Sequence, residues 1–90
     1  SEAPPRAAPQ APPVAREKKG KLTYLERQEY EAIEGKIERL EREIRELTHE
    51  REKTQEGQKL SVLGREIGVK EAEVDLLYLR FAELDEKKNR

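Results

Sequence analysis

The stretch Ile33-Glu34-Gly35-Lys36-Ile37-Glu38-Arg39-Leu40-Glu41-Arg42-Glu43-Ile44-Arg45-Glu46-Leu47 decides the fold. Its apolar residues Ile33, Ile37, Leu40, Ile44 and Leu47 recur at spacings of 4, 3, 4 and 3. That is the period of a helix burying one narrow stripe against another helix. Arg51 and Thr54 continue the phase without an apolar side chain. A second seam runs through Leu60, Leu63, Ile67, Lys70, Val74, Leu77, Phe81 and Leu84, at spacings of 3 and 4 throughout. The two seams are out of phase. The first would continue onto Gln58, Ser61 and Arg65, all polar. The seam therefore restarts, and Gly57 in the gap suits a helix end and a reversal.

An antiparallel hairpin has a register that arithmetic can test, because facing residue numbers add to a constant. Ile33 with Phe81, Ile37 with Leu77, Leu40 with Val74, Ile44 with Lys70 and Leu47 with Ile67 all add to 114. A slip of one heptad would put the reversal across Leu60, Ser61 and Val62, a poor loop. In the preferred register Lys70 must snorkel out of the seam. The tip half, with Arg51, Thr54, Gly64, Gly68 and Lys70, is expected to be the weaker half.

Upstream, Leu22 to Glu31 reads as a short separate helix. Thr23 can cap it, and Glu26 completes a capping box. Its Leu22, Tyr24, Leu25 and Tyr30 are expected to fold back over Leu76, Tyr78 and Leu79, apolar residues outside the third helix's seam. The expected helices cover about 23–31, 33–55 and 59–86, within a coiled-coil hairpin domain over 21–90. The fold class is all-α: an antiparallel two-helix hairpin with a short N-terminal helix at its open end. All five prolines lie within residues 1–13, so 1–20 reads as a disordered Pro/Ala-rich basic linker.

Of the 90 residues, 43% are charged and 33% hydrophobic, and there is no cysteine. A large core, a disulfide framework and a cysteine metal site are excluded. His49, the one histidine, falls on an outer face. No apolar run approaches the ~20 residues of a membrane span, and no signal peptide is evident. A start at Ser1 rather than Met points to a piece of a longer chain. There is no phosphate loop and no nucleophile with a base, so neither an enzymatic activity nor a cofactor is expected.

The net charge of −1 conceals an asymmetry. Residues 1–21 carry five basic and two acidic side chains, or +3, and residues 22–90 carry 14 and 18, or −4. The candidate nucleic-acid contacts are Arg16, Lys18, Lys19 and Lys21, continued by Arg27. A stripe of Arg39, Arg42 and Arg45, interrupted by Glu38, Glu46 and Glu52, comes second. Clustered cations bind phosphates largely by releasing counterions. A helix-turn-helix is the competing pattern. Its recognition helix would start near Lys70, but Glu71, Glu73 and Asp75 would repel the phosphates.

Lys21-Leu22-Thr23-Tyr24, Ile37-Glu38-Arg39-Leu40-Glu41-Arg42-Glu43-Ile44 and Tyr78-Leu79-Arg80-Phe81-Ala82-Glu83-Leu84 together resemble the C-terminal domain of ABC-F ATPases of the Uup type. The resemblance covers about 18–86. The sequence departs from the family pattern in three places. Ile33-Glu34 stands where the family often has Leu-Pro, Phe81 replaces a tryptophan, and Lys53 to Gly57 lacks an Asp-Pro. The resemblance implies a non-catalytic hairpin that binds DNA and serves a cytoplasmic parent ATPase. Ribosomal RNA or the ribosome is the alternative partner. The rival reading is a structural or protein-docking coiled coil that positions the parent ATPase. No membrane partner is expected, and the isolated domain is expected to be a monomer.

Overall fold

The computed structural model describes residues 22–90, which form two long antiparallel helices. The expected linker over 1–20 lies outside the described residues. Helix α1 runs Tyr24–Lys53 and helix α2 runs Gly57–Lys88. They span roughly 45 and 48 Å at 1.5 Å per residue.

Helix α1 starts where the capping box places it. The Glu26 N–H donates to Thr23 Oγ1 at 3.1 Å, and the Thr23 N–H donates to Glu26 Oε1 at 2.9 Å. The helix does not stop at residue 32. The short helix expected over 23–31 is instead the first two turns of α1. The physical reason lies at Ile33-Glu34: neither residue breaks a helix, and the run around them, Glu29 to Glu34, is made of ordinary helix formers apart from its flanking glycine. The fold-back is therefore absent. Tyr24, Leu25, Leu76, Tyr78 and Leu79 stay exposed.

The reversal is Thr54-Gln55-Glu56, not Gly57. The Thr54 hydroxyl donates to the Glu50 carbonyl at 2.7 Å and its N–H donates to the Arg51 carbonyl at 3.2 Å, which closes α1. Gly57 is the first residue of α2 and needs no left-handed backbone there. Glu56 precedes it without a side-chain cap. Helix α2 passes unbroken through Gly64, Gly68 and Lys70, which removes the turn that a helix-turn-helix requires.

The register matches the arithmetic. The cross-helix polar pairs 26/87, 29/80, 30/85, 41/78 and 43/70 have sums between 109 and 119, centred near 114. Ile33, Ile37, Leu40, Val74 and Leu84, with Leu22, form one buried cluster. Tyr30, Ile44, Leu77 and Phe81 pack against it. Leu63 and Ile67 are also buried but lie towards the tip, outside that cluster. Between them and Val74, Lys70 leaves the seam and extends its ammonium to Glu43 at 2.9 Å. The continuous core thus belongs to the open half of the hairpin.

Polar pairs fasten the open end. Tyr30 stacks on Phe81 with ring centroids 5.0 Å apart, and its hydroxyl donates to Asp85 at 2.7 Å. Arg80 grips Glu29 with two hydrogen bonds, of 2.6 and 2.9 Å, and reaches Glu83 at 3.0 Å. Lys87 reaches Glu26 at 2.8 Å. The carboxyl groups of Glu26, Glu29 and Glu43 are held below their ordinary value of 4.5, chiefly by the hydrogen bonds from Lys87, Arg80 and Lys70. A lowered folded-state value contributes stability above the unfolded value and loses it as pH falls through the folded one. The melting temperature is therefore expected to fall below about pH 4.5. The triple variant Glu26→Gln, Glu29→Gln, Glu43→Gln is expected to show a shallower acid limb in a thermal melt followed by circular dichroism. An unchanged limb would mean that these pairs contribute nothing. At the alkaline end the sign reverses. The Tyr30 hydroxyl, raised above 10.0 by its bond to Asp85, contributes stability below that value and loses it as pH rises through the folded one.

Candidate nucleic-acid interface

A helix advances by about 100° per residue, so bearings on α1 follow from sequence spacing. Arg39, Arg42 and Arg45 step round the outer side of α1 over an arc of about 120°. Arg27 and Arg45 are 18 residues apart, about five full turns, and share one bearing. The arc is centred opposite the buried stripe of Ile33, Ile37 and Leu40. All four arginines are exposed. Arg39 lies 4.0 Å from Glu43. Arg27, Arg42 and Arg45 form no ion pair among the described residues. Glu31 and Glu38 share their face, so the local field is a set of discrete cations rather than a continuous basic strip.

The structure brings Arg39, Arg42 and Arg45 together within about 9 Å of helix rise. It sets Arg27 apart, near the open end. Arg16, Lys18, Lys19 and Lys21 lie outside the described residues. They precede Leu22 in sequence, so they join the body where α1 begins.

The sequence reading missed two further cations at that end of the hairpin. The bond from Lys87 to Glu26 sets the last turn of α2 beside the first turn of α1. Lys88 and Arg90 therefore lie at the end of the hairpin where α1 begins. The Lys88 ammonium sits 4.9 Å from the centroid of the Tyr30 ring, a favourable position for a cation over an aromatic face. The register sum of 114 places residues 87–90 opposite 24–27, so the arithmetic already contained this proximity. This end of the body carries Arg27, Lys88 and Arg90, interspersed with Glu26, Asp85 and Glu86.

None of the described groups forms a catalytic constellation. Among the described residues no group of three or more His, Asp or Glu side chains is placed to hold a metal ion. His49 is exposed on the outer face of α1. No described helix is long and apolar enough to cross a membrane.

A family model described as the ABC transporter C-terminal domain matches residues 21–86, which is 66 of the 90 residues. The match begins at the Lys21-Leu22-Thr23-Tyr24 opening and runs past Leu84. Searches among curated proteins and among solved structures return no match.

Proposed function

The chain belongs to the ABC transporter C-terminal domain family, and from that premise we propose that it is a nucleic-acid-binding accessory domain of an ABC-F type ATPase, of the Uup kind. Phosphates meet Arg16, Lys18, Lys19, Lys21 and Arg27 at the junction of linker and hairpin, joined there by Lys88 and Arg90. Arg39, Arg42 and Arg45 supply secondary contacts along α1. The observation that carries this reading is the convergence of both helix ends on that junction. It adds body cations to the most basic part of the sequence. DNA is the preferred partner, on the strength of the Uup resemblance. Recognition is of phosphates rather than bases. Of the aromatic side chains at this end, Tyr30 and Phe81 are stacked on each other and only Tyr24 is exposed, so there is no row of free rings on which successive bases could stack. No helix N-terminus of the hairpin carries a basic groove-reading surface.

The test is fluorescence anisotropy with labelled duplex, single-stranded and branched DNA and an RNA hairpin, at low and near-physiological salt. Binding is expected to weaken steeply with salt. The triple variant Lys18→Glu, Lys19→Glu, Lys21→Glu is expected to lower affinity by tenfold or more, roughly 1.4 kcal/mol. Arg42→Glu with Arg45→Glu is expected to do less. Absence of binding to every probe at low salt would overturn the reading. The net charge of −4 over residues 22–90 would then favour the second reading, a coiled coil that docks on protein and positions the parent ATPase.

A further inference from the structure

Helix α2 carries a second apolar line that the hairpin does not use. Val62, Val69 and Leu76 follow one another at seven-residue spacing, about 140° round the helix from the buried seam of Leu63, Ile67 and Val74. Their side chains are 41%, 64% and 66% exposed. The line extends over about 21 Å. Towards the tip it borders an open groove between the two helices, of about 520 Å³, whose apolar lining is Leu47, Val62 and Val69.

The rim of that groove is acidic. Helix α1 contributes Glu43, Glu46 and Glu50, and α2 contributes Glu66, against Arg65 and Lys70. Lys70 is already engaged with Glu43 at 2.9 Å. The remaining three carboxylates face one cation.

We propose that this groove is a docking site for a basic amphipathic helix of a partner protein, which would complete a three-helix bundle. Each observation selects that occupant. The seven-residue spacing of Val62, Val69 and Leu76 is the pattern that a helix with its own heptad stripe interlocks with. The acidic rim matches lysines or arginines flanking that stripe. The same rim repels nucleic acid and anionic lipid. A second copy of the chain would bring two acidic rims together. The chain's own basic cluster cannot reach the groove. From Leu22 to Glu46 α1 rises about 36 Å, whereas the six residues 16–21 extend about 20 Å. On α1 the groove's carboxylates border the outer arc, with Arg39 4.0 Å from Glu43, but none of Arg27, Arg42 and Arg45 lines the groove, so the site can be tested apart from the nucleic-acid reading.

The experiment uses the whole 90-residue chain and two synthetic peptides about three heptads long. Both have leucine at the stripe positions. One is flanked by lysine and the other by glutamate. Binding is followed by peptide fluorescence anisotropy, and the contact surface by chemical-shift changes in the labelled chain. The lysine-flanked peptide is expected to bind and to shift Val62, Val69 and Leu76. Val69→Glu is expected to weaken it by roughly tenfold or more without lowering the melting temperature, since that side chain is mostly exposed. Glu46→Lys with Glu50→Lys is expected to remove the preference for the lysine-flanked peptide, and Arg27→Glu, about 28 Å of helix rise from Glu46, to leave binding unchanged. Three outcomes would overturn the proposal. One is no binding up to about 1 mM peptide, weaker than any useful docking contact. Another is equal binding of both peptides. The third is self-association of the chain at tens of micromolar that Val69→Glu abolishes, which would assign the face to a second copy.

Discussion

Leu84→Ala is expected to destabilise the hairpin by about 3 kcal/mol and to lower its melting temperature by roughly 12–24 °C. Leu84 and Ile33 are the two largest fully buried side chains, each 1% exposed. Both belong to the continuous cluster of the open half. Two helices alone cannot collapse into the cavity that alanine would leave, because the stacked Tyr30–Phe81 pair and the grip of Arg80 on Glu29 hold their separation. Leu63→Ala is the matched control. Leu63 is also buried, but it lies towards the tip and outside that cluster. Its loss is expected to cost about 1–2 kcal/mol, because the tip can open locally while the open half stays folded. Urea unfolding followed by circular dichroism measures both. Amide exchange should show the same gradient, with slower exchange at Ile37 and Leu77 than at Leu63. Equal costs at Leu84 and Leu63 would mean that the hairpin is uniformly stable along its length.

This gradient shows which features were legible in the sequence. The seams of α1 and α2 were, because each burial position repeats an apolar residue at a spacing that only a paired helix needs. The register followed from the same residues, since two out-of-phase seams leave only one good reversal. The start of α1 was legible because a capping box is a local signal in which Thr23 and Glu26 satisfy each other's backbone. The misreadings have a common physical cause. Gly57 looked like the turn because glycine is common at reversals, but a three-residue turn with Thr54 closing α1 leaves Gly57 inside the next helix. The expected fold-back of residues 23–31 rests on apolar side chains of α2 that need cover. In the structure those side chains remain exposed, and Leu76 belongs to a separate line with Val62 and Val69. An uncovered face and a covered one have the same sequence pattern when the covering element belongs to another molecule.

The candidate interface divides in the same way. The arginines of the outer arc could be placed from spacing alone, because helix bearings follow from residue number. Lys88 and Arg90 could not be recognised from local sequence. They are more than sixty residues from the basic cluster, and only the antiparallel return of α2 brings them to the end of the hairpin that follows that cluster in sequence. The bonds that secure this return, from Lys87 to Glu26 and from Arg80 to Glu29, are also cross-helix. They have no i,i+4 signature, although the sums 113 and 109 fall near the register value.

Replacing Gly35, Gly64 and Gly68 together by alanine is expected to stabilise the hairpin by roughly 2–3 kcal/mol, at about 0.8–1 kcal/mol per helical glycine. The melting temperature should rise by about 10 °C or more. Each glycine lies inside a continuous helix, and none needs a left-handed backbone. A Cβ built at any of the three meets nothing within 4 Å, so no clash offsets the gain in the backbone term. The sites are far enough apart for two contributions, Gly35 and the Gly64–Gly68 pair, to add. The larger effect on the pattern of stability is expected from the pair. Both glycines lie in the tip half, where the core is interrupted at Lys70. Gly64→Ala with Gly68→Ala should therefore slow amide exchange at Leu63 and Ile67 more than at Ile37, and flatten the gradient that Leu84→Ala and Leu63→Ala report. A gain below about 0.5 kcal/mol for the triple variant would contradict the propensity argument. It would mean that another cost offsets the gain at these glycines, such as close contact with a second surface in solution.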